Sequence, residues 1–283
     1  MIAEVHPSLR GKTAVITGGA GVLCREFAKA LAMCGVRVAI LNRTFSKAEA
    51  VRDEIHAAGG TAVAVQADVT DKASLEAAYR RVIDTFGSCQ ILINGAGGNR
   101  PSATTDDEFF SPETMKAPGK KSFFDLEEAA FDEVFSLNLK GALLSTQCFA
   151  RDMVNGNGGT IINISSMNAF TPLTKIPVYS AAKAAVSNFT QWLAVHFAKS
   201  GIRVNAIAPG FFSTEQNAAL LWNPDGTPTT RTDKILHATP MGRLGTPREL
   251  LGTLLWLVDE DTSGFVTGIV VPVDGGFSAY SGV

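Results

Sequence analysis

The sequence predicts an α/β fold, one doubly wound parallel sheet of about seven strands with helices on both faces. Three observations carry that prediction. Short β-branched runs alternate along the chain with longer amphipathic ones. The short runs are apolar throughout, as in strands covered on both sides. A glycine-rich turn follows the first of them directly. The 283 residues hold 25 Lys+Arg and 27 Asp+Glu, a formal charge of −2, with 46% hydrophobic and 18% charged residues. Charged residues are scarcer than the roughly 25% of an average soluble domain, which excludes a disordered chain, and the length suffices for a large core. Near-neutral charge gives no electrostatic pull toward nucleic acid or an anionic membrane surface, and no apolar stretch approaches the roughly 18 residues of a membrane span. Residues 1–12 lack the apolar segment of a secretory signal, and Cys24, Cys34, Cys89 and Cys148 lie far apart with no Cys-x-x-Cys pair. The expectation is a cytoplasmic protein with free thiols and neither nucleic acid nor membrane as partner.

Taken in order, Thr13–Thr17 (TAVIT) reads as a strand and residues 23–33 as a helix. Residues 37–41 and 46–58 repeat the pair, and so do Thr61–Gln66 and residues 71–86. Strands are then expected at Ile91–Asn94, 160–165, 203–207 and 269–273, separated by helical patterns over 131–154, 177–200 and 248–257. Without repeat or linker, residues 1–283 read as one domain. Two long stretches, 96–125 and 210–243, have no clear period, and the second contains the turn signal Asn223-Pro224-Asp225-Gly226. Both follow strands, so both fall at the carboxyl edge of the sheet, where such folds bind ligands.

The chemistry-bearing residues also fall at that edge. In Thr17-Gly18-Gly19-Ala20-Gly21-Val22-Leu23-Cys24, the glycines allow a sharp turn and close approach to a pyrophosphate, and the helix that follows offers free N–H groups. Tyr179 and Lys183 stand i and i+4 on a predicted helix, so phenol and ammonium share a face. A cation there favours phenolate and draws the tyrosine toward the working range of an acid/base catalyst. Ser166, at the end of the strand before that helix, can bring its hydroxyl near the phenol. His6, His56, His196 and His237 lack ligand spacing, the acidic run Asp106-Asp107-Glu108 reads as solvated loop, and Met167 reads as packing, so no metal is expected.

Together these motifs resemble the short-chain dehydrogenases/reductases along essentially the whole chain: the turn at 17–24, Asp68-Val69, Asn94-Gly95-Ala96-Gly97, Asn138, Ser166, Tyr179, Lys183 and Pro209-Gly210. The resemblance implies a Rossmann-like fold and catalysis by Asn138, Ser166, Tyr179 and Lys183. Tyr179 would move the proton, Ser166 hold the substrate oxygen, Lys183 bind the nicotinamide ribose and lower the tyrosine pKa, and Asn138 hold a relay water. Gly18, Gly19, Gly21, Leu23, Asn94, Gly95, Ala96, Gly97, Pro209, Gly210 and Thr214 would line the cofactor, with Asp68 and Val69 flanking adenine. It also implies a homotetramer. The family's usual turn is Thr-Gly-x-x-x-Gly-x-Gly. Here Val22 and Cys24 replace its last two glycines, so Gly21 is expected to take over the close approach.

Residues 165–170, 173–177, 209–217 and 274–283 further resemble the D-mannonate oxidoreductase (fructuronate reductase) branch, which implies interconversion of D-mannonate and D-fructuronate. Arg100, Asn168, Lys175, Gln216 and Asn217 are the candidates for the carboxylate and hydroxyls of such a sugar acid. The second strand ends in Asn42-Arg43 with no carboxylate to repel a 2′-phosphate, so the cofactor is NADP or NAD with a lean to NADP. The alternatives are another sugar-acid or polyol dehydrogenase of gluconate type, a 3-oxoacyl reductase, and a non-catalytic dinucleotide sensor on the same fold.

Overall fold

The first strand, β1 (Thr13–Thr17), is buried at every position, and it lies inside the sheet with a strand paired on either side. The computed structural model describes residues 6–156, 158–214 and 221–282. From β1 the chain runs outward through helix α1 (Val22–Met33), β2 (Arg37–Asn42), α2 (Phe45–Ala57), β3 (Thr61–Gln66) and α3 (Lys72–Phe86). It then returns to the other side of β1 and continues through β4 (Ile91–Asn94), β5 (Gly159–Ile164), β6 (Ile202–Pro209) and β7 (Val270–Val273). The strand order is 3-2-1-4-5-6-7 and every pairing is parallel. This is the predicted doubly wound sheet, with its switch point between β1 and β4.

Register fixes what meets at that point. Thr17 pairs with Leu41 on one side and Asn94 on the other, and Asn94 pairs with Asn163. The strand ends therefore lie in one row, where Gly18, Asn42, Gly95 and Ser165-Ser166 emerge side by side. Side chains alternate between two layers. Ile16, Ile40, Ile93 and Ile162 pack with Phe27 and Leu31 of α1 and with Leu254 and Leu257 of a late helix. Val15, Ala39, Leu92 and Ile161 face the other layer, with Leu75 and Val82 of α3, Phe149 and Met153. Phe27 and Phe149 are fully buried, and truncating either to Ala would cost about 3–5 kcal/mol. A buried polar ladder crosses the second layer: Asn94 Nδ2 donates to Thr146 Oγ1 (3.0 Å) and to Asn163 Oδ1 (2.8 Å), and Asn163 Nδ2 donates to Thr190 Oγ1 (2.8 Å). It locks the ends of β4 and β5 to the helices beneath them.

The structure departs from the periodic reading in three places. The connection 96–125 carries a short helix, α4 (Pro112–Lys116). The helix expected over 131–154 is two helices, α5 (Glu128–Phe135) and α6 (Gly141–Asn155), joined by one π turn (Ser136–Lys140). An inserted residue in a helix leaves no mark on hydrophobic spacing this short, and π turns favour functional sites. Beyond α7 (Pro177–Phe197), the connection 210–243 holds α8 (Thr230–Ala238), whose N-cap Thr229 accepts from Thr232 N. The chain closes through α9 (Leu251–Val258) and α10 (Glu260–Ser263). Among the described residues no helix is long and apolar enough to cross a membrane.

Candidate active site

A cleft of about 810 Å³ opens above the switch point, lined by Gly18, Gly21, Asn42, Asp68, Gly95 and Leu137 among others. Its floor is backbone. Gly18 has φ +61°, and a Cβ on it would stand 2.8 Å from Ala96 Cα, while one on Gly19 would stand 2.9 Å from Ile16 O. The N-cap of α1 is Gly21, which supplies no side-chain hydrogen bond, so the first N–H groups of α1 are uncapped beside the cleft. Free donors at the positive end of a helix, reached over glycine, suit a pyrophosphate. The replacement of the usual glycine by Cys24 is matched from the other side: the Cys24 sulfur lies where a side chain on Gly95 would be. Burial pushes the Cys24 thiol up to about 12, so it is a neutral packing group.

The end of the cleft beside Asn42 and Asp68 is equally ordered. Asp68 Oδ1 accepts from Thr70 N (2.9 Å) and Thr70 Oγ1 (2.7 Å), bonds that hold its carboxyl below the usual range. Val69 is buried, and a Cβ on Gly141 would stand 2.8 Å from its Cγ2. Asn42 Nδ2 donates to Thr44 O (2.9 Å), and Arg43 lines the cleft and adds its charge to the forces on Asp68.

At the far end, four side chains from three segments converge. Asn138, buried in the π turn, donates through Nδ2 to Gly98 O and Val134 O (both 2.8 Å) and accepts at Oδ1 from Gly98 N (3.2 Å). Lys183 on α7 is buried, and its Nζ donates to Ile164 O (2.8 Å) and lies 5.6 Å from the centre of the Tyr179 ring. A Cβ on Gly97 would stand 2.7 Å from Asn138 Oδ1 and 3.0 Å from Lys183 Nζ, so only glycine lets the two approach. Ser166 is buried beside the half-buried Tyr179, and its hydroxyl draws the phenol pKa down. Ser165 Oγ donates to Lys183 O (3.1 Å) and shares a hydrogen with Ser187 Oγ (2.7 Å), which pins the end of β5 to α7.

The electrostatics differ from the sequence expectation of a phenol lowered by its lysine. Burial pushes Tyr179 up to about 12, against the downward pull of Ser166, and burial pushes Lys183 down to about 8. In the protein alone, loss of water outweighs the pull of the Ser166 hydroxyl.

The candidate substrate residues separate. Asn168 is buried, its N–H donates to Ser166 Oγ (3.2 Å), and its Oδ1 has no partner among the described residues. This leaves a buried acceptor free two residues from Ser166. Asn99 Oδ1, which sequence reasoning missed, is orphaned in the same way in the cleft. Lys175 adopts φ 70°, the one non-glycine residue with positive φ among those described, and its charge acts on Glu108. Such strain concentrates at ligand sites. Arg100 lines the same cleft, and its Nε donates to Glu133 Oε2 at 2.9 Å, so its charge is already met. Gln216 and Asn217 lie outside the described residues. Gly210 N donates to Val273 O (3.0 Å), and past Pro209 and Gly210, Thr214 lines a second hollow. A hollow of about 750 Å³ at the opposite, amino edge of the sheet, lined by Gly158, Arg203 and Phe265, contains none of these groups.

The profile of the short chain dehydrogenases matches residues 12–223. The chain belongs to that family. It is 58% identical to the uncharacterized oxidoreductase UxuB of Bacillus subtilis over 279 residues, 99% of each chain. It is 33% identical to the 2-dehydro-3-deoxy-D-gluconate 5-dehydrogenase of Dickeya dadantii over 273 residues, 96% of this chain and 97% of that one. A crystal structure from Haemophilus influenzae superimposes with a TM-score of 0.95 at 54% identity, covering 100% of both chains. That protein carries the provisional name D-mannonate oxidoreductase and holds bound NAD. This chain is accordingly a short-chain dehydrogenase and an oxidoreductase using a nicotinamide dinucleotide, and the uncapped α1 and glycine floor fit that cofactor.

Proposed function

We propose that this short-chain dehydrogenase interconverts D-mannonate and D-fructuronate. The observation that carries the reading is the full-length, 54% identical Haemophilus relative with that provisional name and bound NAD. The Dickeya relative, a dehydrogenase of another sugar acid, supports the substrate class. When bound, the nicotinamide supplies or accepts the hydride. Gly18, Gly19, Gly21 and the free N–H groups of α1 hold the pyrophosphate, Asp68 and Val69 the adenine, Asn42 and Arg43 the adenosine ribose, and Gly210 and Thr214 the nicotinamide end.

The chain's own work is proton transfer. The Ser166 hydroxyl holds the substrate oxygen beside the Tyr179 phenol. In reduction the phenol gives its proton to the oxygen as that oxygen gains charge, and in oxidation the phenolate takes it back. Lys183, in its charged form, stabilises the phenolate, and its bond to Ile164 O is exchanged for the nicotinamide ribose. Asn138, spanning Gly98 and Val134, holds the π turn open for a relay water. A sensor has no use for this apparatus.

NADH formation with D-mannonate tests the reading. Faster turnover of a gluconate-type polyol or a 3-hydroxyacyl thioester would overturn the substrate assignment. For the dinucleotide, the strand end without a carboxylate, with Arg43 beside Asn42, supports acceptance of NADP, and the Haemophilus relative's ligand supports NAD. Both are read as substrates here. Asn42→Asp should lower kcat/KM for NADP about 10-fold or more, the equivalent of about 1.4 kcal/mol, and spare NAD. An unchanged ratio would show that the end of β2 does not select.

A further inference from the structure

Two amide oxygens on the segments around Ser166 and Tyr179 have no partner. Ser166 N-caps a short turn, Met167–Ala169, and its Oγ accepts from Asn168 N, so Asn168 is held directly beside it. Asn168 is only 4% exposed, yet its Oδ1 is unpaired among the described residues. Asn99 Oδ1 is unpaired in the same way. A neighbour fixes the orientation of the Asn99 amide. Its Nδ2 donates to Thr104 Oγ1 (3.0 Å), whose one hydrogen goes to Arg100 O (3.0 Å), so Thr104 can only accept and the Asn99 oxygen is left free. The stretch that carries Asn99 is tied to the catalytic groups at both ends. Gly98 is bonded through N and O to Asn138. Ala103 shares an apolar cluster with Val178 and Ala182, against which Tyr179 packs, and Thr105 N donates to Lys175 O (2.8 Å) just before α7.

We propose that Asn168 and Asn99 accept hydrogen bonds from the hydroxyls that flank the reacting carbon, and so select a polyhydroxylated substrate. The inference rests on the sugar-acid reading above and adds to it the residues that read the sugar. A buried amide oxygen left unpaired carries its full desolvation penalty, which a ligand O–H removes. In D-mannonate the carbon that becomes the ketone has a hydroxyl on each neighbouring carbon, two donors for two acceptors. The carboxylate has no hydrogen to give and is not the group these oxygens take. A 3-hydroxyacyl thioester bears no hydroxyl on the carbons beside its reacting carbon, so both amide oxygens would stay unpaired. A site built to pair a substrate hydroxyl rejects an analogue lacking it far more strongly than an apolar pocket rejects a missing methylene.

The test is kcat/KM for wild type, Asn168→Leu, Asn99→Leu, Asn168→Asp and Asn99→Asp, together with Kd for NAD. The substrates are D-mannonate and the two deoxy analogues that each lack one of the flanking hydroxyls. Each Leu variant should lose about 10–100-fold on D-mannonate and little on the analogue that lacks the hydroxyl it would hold. Each Asp variant keeps an acceptor oxygen and should recover part of the loss, with the NAD Kd at the wild-type value throughout. Equal losses on D-mannonate and both analogues overturn the proposal, since a packing role or a buried water would weaken all three alike. Wild-type kinetics in a Leu variant overturn the role of that residue. A loss in Asn99→Leu that appears only as a raised Kd for NAD gives that oxygen to the cofactor and overturns the pair. A wild type that binds NAD but is inert toward D-mannonate and both analogues overturns the sugar-acid reading. That outcome is distinct from an active wild type with unaffected variants, which overturns the acceptors alone.

Discussion

The two halves of the carboxyl edge are built on different principles. Above β1, β2 and β4, the cleft is made of strand ends in register and glycines pressed against neighbouring backbone: Gly18 on Ala96, Gly19 on Ile16, Gly95 on Cys24. Above β5, β6 and β7, the walls come from the connections 96–125 and 210–243, joined by the exposed Lys234–Glu108 pair, and Phe109, Phe123 and Phe124 on the first connection are exposed. The first half has little freedom, because its recognition surface is main chain. The second presents side chains from loops and short helices, which can change without disturbing the sheet. A dinucleotide site can be rigid, since its ligand is constant. A substrate site gains specificity from the elements that vary.

Tyr179 stands at the seam, and its replacement gives the largest effect. Tyr179→Phe should cost about 10²–10⁴ in kcat and leave the NAD Kd at the wild-type value, which separates the halves cleanly. Near wild-type turnover would remove the tyrosine from the mechanism. The rigidity of the first half is tested next by Gly95→Ala, which meets both the Cys24 sulfur and Thr17 O. Overpacking of this kind should destabilise the fold by about 1–3 kcal/mol and weaken NAD binding. Adding Cys24→Ala removes one of the two clashes and should restore part of the melting temperature. If Gly95→Ala alone binds NAD normally, the close approach is not part of the cofactor floor.

A smaller effect is expected from pH. Burial holds Lys183 down at about 8, below its ordinary 10.5, so the fold favours the neutral amine. A depressed folded pKa means that stability from this group is complete above pH 10.5 and is lost as pH falls toward 8. Tyr179, pushed up to about 12 from 10, gives the opposite sign: its contribution is complete below pH 10 and is lost between 10 and 12. The melting temperature of wild type minus that of Lys183→Met, in the protein without cofactor, should therefore rise between pH 8 and 10. A flat difference would mean that Lys183 keeps its charge in the folded protein.

The same contrast governs what was legible in the sequence. The seven strands and their order of appearance follow from apolar runs and turn residues, because a buried parallel strand has few other compositions. Ser166, Tyr179 and Lys183 could be picked out because each stands at a strand end or shares a helix face, and Asn138 only through the resemblance of the whole set of motifs. The π turn under Asn138 was not legible, since one added residue in a helix barely shifts hydrophobic spacing. Neither was the partner of Arg100: a loop arginine and a glutamate 33 residues on give no periodic signal, and only the fold brings Glu133 to it. The complementarity of Cys24 and Gly95 is likewise a contact across 71 positions of chain, visible only once β1 and β4 lie side by side.

One reaction tests the proposed activity directly. Purified protein given D-fructuronate and NADH or NADPH should consume the reduced nicotinamide, followed by its absorbance, and form D-mannonate in equal amount, identified by chromatography. Consumption without D-mannonate, or none with either dinucleotide in a preparation that binds NAD, would contradict it.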